Sequence, residues 1–368
     1  MIRSQATKPD GGQVLASLQI LRGLAALGVL AVHLSMVTDH VLHLQAYLPR
    51  LTLGEAGVDL FFVISGFIMV YASADAFGRP HAPLSFFARR VVRIVPLYWA
   101  VSAWVLAAFL LGGTDLATLD LSWGAIVASF LFVPYARPSG LVWPMLQVGW
   151  TLNFEMFFYL VFAIALMLRR RFAIIGISLL FVALIAIRFA GDQWPVWFEF
   201  LSRPIILEFC LGMILALAFA HGYRIRPASA AAVIVAACAA LLATNHFQVG
   251  EWRVMVWGVP AAAIVASVLS FEGKAASGVI GRAFALLGDA SYSLYLVHLP
   301  VMLTASRLLP RLFDTTAAPW LSIALMAALP IVAAFATYFG LERPVTRWLQ
   351  RRVPVARAAP QPTLPQPA

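Results

Sequence analysis

Long apolar runs separated by short polar ones organise this chain. The apolar stretches are Leu18–Val37, Ala56–Ser73, Ile94–Leu111, Trp150–Leu168, Phe172–Ala190, Pro204–Ala220, Ala228–Thr244, Val254–Ser270, Ala283–Thr304 and Trp320–Leu341. A helix rises 1.5 Å per residue, so about 20 apolar residues cross the ~30 Å hydrocarbon core of a bilayer, and each stretch predicts a spanning helix. Trp123–Val133 is apolar but short, with Pro134, Pro138 and Pro144 close behind. It predicts a re-entrant or interfacial segment. The pattern therefore predicts an all-α polytopic membrane protein with about ten transmembrane helices.

The organisation that follows is a cytoplasmic N-terminal segment over 1–17, a transmembrane domain over 18–345, and a disordered cytoplasmic tail over 346–368. The tail is rich in Pro, Arg and Ala. The opening MIRSQATKPDGGQ has no apolar signal core followed by a small-residue cleavage site, so Leu18–Val37 reads as a retained first helix.

Composition agrees: of 368 residues, 62% are hydrophobic and only 11% charged, and the mean hydropathy is +0.88. No soluble domain of this size needs so much apolar surface. In a soluble protein the net charge of +10 would suggest nucleic acid; here the basic residues sit between apolar runs and report topology. With ten spans, all but seven of the 26 Lys and Arg fall on the side of the N-terminus, the exceptions being Arg50, Arg137, Arg188, Arg203, Arg253, Arg307 and Arg311. That bias predicts both termini in the cytoplasm. Counting Trp123–Val133 as a full crossing would put Arg169, Arg170 and Arg171 outside, against the bias. The two cysteines, Cys210 and Cys238, lie in apolar runs and read as packing residues.

Ionisable residues inside these runs are the candidate chemistry. Arg22 and His33 are eleven residues apart, about three turns, which puts both on one helix face roughly 16 Å apart. Arg22, Arg90, Arg93 and Arg282 fall at the inner ends of spans, His33 and His298 toward the outer half, and Asp59, Glu155 and Glu208 near outer ends. A basic inner mouth suits an anionic ligand, because guanidinium groups hold phosphates through charge-assisted donors. An outer pocket of imidazole and carboxylates suits a hydroxyl, which a neutral imidazole can deprotonate. Blander roles compete. The arginines could be snorkelling positive-inside anchors, a histidine a helix–helix hydrogen-bond partner, and Asp59 and Glu155 carboxylates stabilised by a helix N-terminus. The whole set on several spans favours a site. There is no GxSxG, GxxxxGK[ST], HExxH or CxxC, which argues against a serine hydrolase, a P-loop ATPase or a zinc protease.

The motifs in their order resemble the acyltransferase-3 family of membrane acyltransferases, which modify bacterial surface glycans. LRGLAALGVLAVHL carries the basic residue, ten residues, then histidine (Arg22, His33). GVDLFFVISGFIM, with Asp59 and Ser65, resembles the second-span signature. RRVVRIVPLYW carries Arg-x-x-Arg at Arg90 and Arg93, and GWTLNFEMFFYL matches a further block at Trp150 and Glu155. LGDASYSLYLVHLP, with Ser291, Tyr292, Tyr295 and His298, and the closing Glu342-Arg343-Pro344 complete the set. Thr151 and Asn153 stand where the family usually has serines, and Met156 where a second acidic residue often follows.

The resemblance implies an O-acyltransferase of the bacterial cytoplasmic membrane. Its donor would be a cytoplasmic acyl-CoA, acetyl-CoA first among them, and its acceptor a hydroxyl of a glycan or lipid-linked sugar, with no metal and no nucleic acid. It implies Arg22, Arg90 and Arg93 as donor-binding residues. His33, Asp59, Glu155 and His298 are the catalytic candidates, and Trp150, Asn153, Tyr292 and Ser65 the substrate-binding ones. The competing class is a proton-coupled transporter using the same His/Asp/Glu groups as a relay. Transporters usually carry an internal repeat, and none is visible here.

Overall fold

The computed structural model describes residues 15–44, 47–48, 52–111, 122–244, 249–273, 275 and 277–353. Arg3, Lys8, Arg50, Lys274 and Arg357 of the charge count, and the tail beyond 353, lie outside them. The described residues are helical with no strand: α1 Ala16–His40, α2 Ala56–Ala72, α3 Ala82–Leu110, α4 Trp123–Phe130, α5 Trp150–Ala165, α6 Arg170–Phe189, α7 Val196–Leu201, α8 Leu207–Ala220, α9 Pro227–Ala243, α10 Val259–Val268, α11 Val279–Asp289, α12 Ser291–Leu312, α13 Pro319–Thr337 and α14 Arg343–Gln350.

Among the described residues, seven helical segments are long and apolar enough to cross a membrane: Ala16–His40, Leu53–Ala72, Ala82–Leu110, Gln147–Ala165, Arg170–Phe189, Gly250–Phe271 and Pro319–Gln350. The bent pair α11–α12 makes an eighth if counted as one span. Two shorter apolar helices, Pro204–Ala220 and Pro227–Ala243, occupy the expected sixth and seventh runs. At eight residues, or about 12 Å, α4 is too short to cross.

Three boundaries differ from the expectation. The third helix starts at Ala82, not Ile94, so Arg89, Arg90 and Arg93 stand on its first turns instead of in a loop. Arginine is a good helix former, and charge inside a span is tolerated where it faces a polar cavity. The ninth run is broken, α11 and α12 meeting at 69° around Ala290. Gly288 sits where α1 passes so close that a Cβ would overlap the Gln19 carbonyl, and Gln19 donates to Asp289 at 2.6 Å. The break therefore starts α12 beside α1. Finally, the last helix runs to Gln350 and takes in the first five residues of the tail expected from 346.

The core depends on close helix approach. On α2, a Cβ on Gly66 would overlap the Phe209 carbonyl of α8; on α8, a Cβ on Gly212 would overlap the Val63 carbonyl of α2. Between apolar helices in lipid such small residues let dispersion contacts accumulate. Phe209 then stacks on Phe62 (4.5 Å between centroids) and on Phe158 of α5 (4.3 Å). This aromatic block fixes α2, α5 and α8, and α1, α3 and α12 complete the walls of a cavity beside it.

Candidate active site

A cavity of about 530 Å³ opens among α1, α2, α3, α5, α12 and α14. Six expected residues line it: Arg22, Arg90, Arg93, Ser65, Glu155 and Tyr292. Arg22 donates through Nε and Nη2 to Ser291 Oγ at 3.3 and 3.1 Å, which ties α1 to the first residue of α12. It has no carboxylate partner among the described residues. Arg90 has a buried Nε with no hydrogen-bond partner, and its guanidinium lies 5.4 Å from the Phe86 ring centre. Arg93 is ion-paired with Glu342, which also accepts from Ser293 Oγ. Glu155 accepts from Tyr159 Oη and, at 3.3 Å, from Ser65 Oγ, so its carboxylate is held by neutral donors. Tyr292 donates to the Ile94 carbonyl at 2.8 Å, which locks its ring between α12 and α3.

The two histidines form a pair outside the cavity lining. His298 Nε2 is 3.2 Å from His33 Nδ1, with ring centroids 4.8 Å apart in an edge-to-face arrangement. His298 Nδ1 lies 3.0 Å from the Leu294 carbonyl, and His33 Nδ1 lies 2.9 Å from the Val29 carbonyl. A carbonyl only accepts, so in the neutral rings both Nδ1 atoms carry the proton. His298 Nε2 then offers its lone pair to His33 Nδ1–H, and His33 Nε2 is left as a bare lone pair. His33 is partly exposed while His298 is buried. Between this pair and the cavity stands Tyr295, a cavity-wall residue whose ring is 6.1 Å from that of His298 and 6.0 Å from that of Phe61. Its hydroxyl is anchored at 2.9 Å to both Thr151 Oγ1 and the Val148 carbonyl. From Ser291 to His298 is seven residues, roughly 10 Å along α12. Arg22 and His33 thus meet one helix at two levels.

The remaining expected residues lie elsewhere. Asp59 is fully buried in a bidentate pair with Arg253, at 3.0 Å to Nε and 2.8 Å to Nη2. Glu208 lies beside Asp59, and neither of its carboxylate oxygens accepts from an N–H or O–H donor among the described residues. Trp150 packs edge-on against Phe154 and Phe200, and Asn153 is buried with Oδ1 unpartnered. None of these lines the cavity. Among the described residues no group of three or more His, Cys, Asp or Glu is placed to hold a metal ion.

Several lining residues carried no expectation: Arg89, Tyr159, Asp289, Arg347 and Gln350. Tyr159 was legible, since four residues after Glu155 it must share that helix face. Arg347 was not, because its run read as the start of a disordered tail.

The comparisons identify the family. The family model described as an acyltransferase domain matches residues 15–339. The chain is similar to the exopolysaccharide production protein ExoZ of Rhizobium meliloti (strain 1021), 38% identical over 309 residues, covering 80% of this chain and 90% of that one. It is also similar to the acyltransferase MdmB of Streptomyces mycarofaciens, 27% identical over 395 residues, covering 94% and 95%. No solved structure matches. Matched along nearly all its helical part, and built around a cationic cavity with a histidine pair beyond it, the chain belongs to the acyltransferase-3 family and is an enzyme that transfers acyl groups.

Proposed function

We propose that the protein moves an acyl group, acetyl first among them, from cytoplasmic acyl-CoA to a hydroxyl of a glycan or lipid-linked sugar on the far side of the bacterial cytoplasmic membrane. In this reading the chain crosses ten times with both termini in the cytoplasm, as the distribution of Lys and Arg favours. The similarity to an exopolysaccharide production protein supports a saccharide acceptor. The observation that carries the reading is the cavity itself: guanidinium groups without carboxylate partners at one end, and a wall at Tyr295 one turn short of His298, which pairs with a His33 whose Nε2 is bare.

Arg22 and Arg90 have free donors for the diphosphate, and Arg93, fixed by Glu342, adds to the field. The thin pantetheine arm runs toward Tyr295. His33 Nε2 takes the proton from the acceptor hydroxyl as its oxygen attacks the thioester carbonyl. The C–O bond forms, the C–S bond breaks, and the proton passes on to the departing thiolate. His298 accepts from His33 Nδ1–H, which holds the ring in the tautomer that leaves Nε2 available. Glu155, Ser65 and Tyr292 shape the cavity floor around the donor arm. Asp59 serves by fixing α2 through Arg253.

The test is labelled acetyl-CoA added to membranes carrying the protein. A labelled glycan or lipid-linked sugar is expected, and His33→Ala should lower the rate by roughly 10²–10⁴-fold, the usual worth of a general base. A folded His33→Ala protein acylating at the normal rate would remove the base assignment. Uptake of solute without any acylation would favour the transporter class instead.

A further inference from the structure

Four of the eight residues of α14 line the cavity: Arg343, Thr346, Arg347 and Gln350. The spacing i, i+3, i+4, i+7 is a single helix face, so α14 lies along the cavity with that face turned in. The helix is not held there by its arginines. It is anchored at its base, where Glu342, within the π-helical turn Tyr338–Glu342, is ion-paired with Arg93 of α3 and accepts from Ser293 of α12. Arg347 is exposed and its side chain makes no hydrogen bond or ion pair among the described residues. Arg343 has only the Phe339 ring, 5.8 Å from its guanidinium carbon. The cavity is thus lined by two sets of cations on different helices: Arg22 on α1 with Arg89, Arg90 and Arg93 on α3, and Arg343 and Arg347 on α14.

A single diphosphate is fully served by the first set. The second set is aligned, anchored from below and without anionic partners, and it calls for a second, separate anionic group. We propose that Arg343 and Arg347 form a distinct phosphate subsite, which reads the ribose 3′-phosphate of the donor while Arg22 and Arg90 hold the 5′-diphosphate. The proposal rests on the acyl-CoA reading above and sharpens it: the enzyme distinguishes acyl-CoA from donors that carry pantetheine and diphosphate alone. A lipid headgroup phosphate has the same local chemistry, but its binding would not depend on the 3′ position of a nucleotide.

The experiment is direct binding of CoA and of 3′-dephospho-CoA to the detergent-solubilised full chain, by calorimetry, for the wild type, Arg347→Gln, Arg343→Gln, Arg347→Lys and Arg90→Gln. Each variant is first checked for a monodisperse profile on size exclusion. The wild type should prefer CoA by roughly 10–100-fold, the scale of one or two charge-assisted hydrogen bonds. Arg347→Gln and Arg343→Gln should each lose much of that preference by weakening CoA alone, and Arg347→Lys should keep part of it. Arg90→Gln should weaken both nucleotides alike. Equal wild-type affinity for the two nucleotides overturns the subsite and leaves the acyl-CoA reading standing, consistent with a lipid headgroup at α14. Equal weakening of both by Arg347→Gln also overturns it, reducing α14 to a general positive field. If neither nucleotide binds, both readings fall.

Discussion

Arg253 and Arg90 are both arginines inside an apolar helical bundle, yet only one is saturated by its own protein. Arg253 closes a bidentate pair on a fully buried carboxylate, with Nη2 also donating to the Glu55 carbonyl at 3.2 Å and Nη1 lying 4.0 Å from the Glu55 carboxylate. Arg90, with Arg22 beside it in the same cavity, faces empty volume with donors to spare. A membrane interior penalises both equally, so the difference is informative. The first arrangement spends its charge on holding α2 against the start of the Val254–Gly258 turn. The second leaves its charge without an internal carboxylate partner. Burial of charge alone marks neither function nor structure; the presence or absence of an internal counter-charge separates them.

This contrast can be broken most forcefully at the closed cluster. Arg253→Ala leaves the buried Asp59 carboxyl without its cation, and removing one partner of a buried pair typically costs about 3–5 kcal/mol. Thermal unfolding in detergent should show a large loss, with acyl transfer falling only as the folded fraction falls. At the open cavity the pattern should reverse. Arg90→Ala should leave the unfolding midpoint nearly unchanged while raising KM for the acyl donor about tenfold or more, the worth of a charge-assisted contact. A stability loss like that of Arg253→Ala would place Arg90 among the structural charges. Tyr159→Phe is a finer probe. It removes one donor from Glu155 but leaves Ser65, so a cost of about 1 kcal/mol is expected, read as a modest shift in unfolding. The smallest effect should be Glu208→Gln. It keeps the shape and takes an acceptor from no N–H or O–H group, because neither carboxylate oxygen accepts from a donor among the described residues. A change of less than about 1 kcal/mol is expected, and a larger loss would show that Glu208 is part of the Asp59–Arg253 pair after all.

The same contrast shows where sequence reading succeeds. Arg22 and His33 were legible because both lie on one uninterrupted helix, where spacing alone fixes the face. Arg90 and Arg93 were legible as cations, although their helix starts three turns earlier than the apolar run. Asp59 looked as promising as Glu155. What separates them is Arg253, 194 residues away in the chain, a pairing no local pattern contains. Arg347 was lost for the opposite reason: a short polar helix has no apolar periodicity of its own and is ordered by Glu342 at its base.

The sequence by itself determined a helical protein of the membrane, because apolar runs of bilayer length have no other stable solution: in lipid each segment must satisfy its own backbone hydrogen bonds. It also determined which residue types are available for anion binding and for proton transfer. Only the tertiary structure decided which charges are neutralised internally and which line the cavity. It decided that the ninth run breaks so that Ser291 meets Arg22 and His298 meets His33. It decided too that Tyr295 stands between the cavity and the histidine pair. Those outcomes depend on helices packed side by side far apart in the chain, and the free energy of such contacts lies in the pair, not in either partner alone.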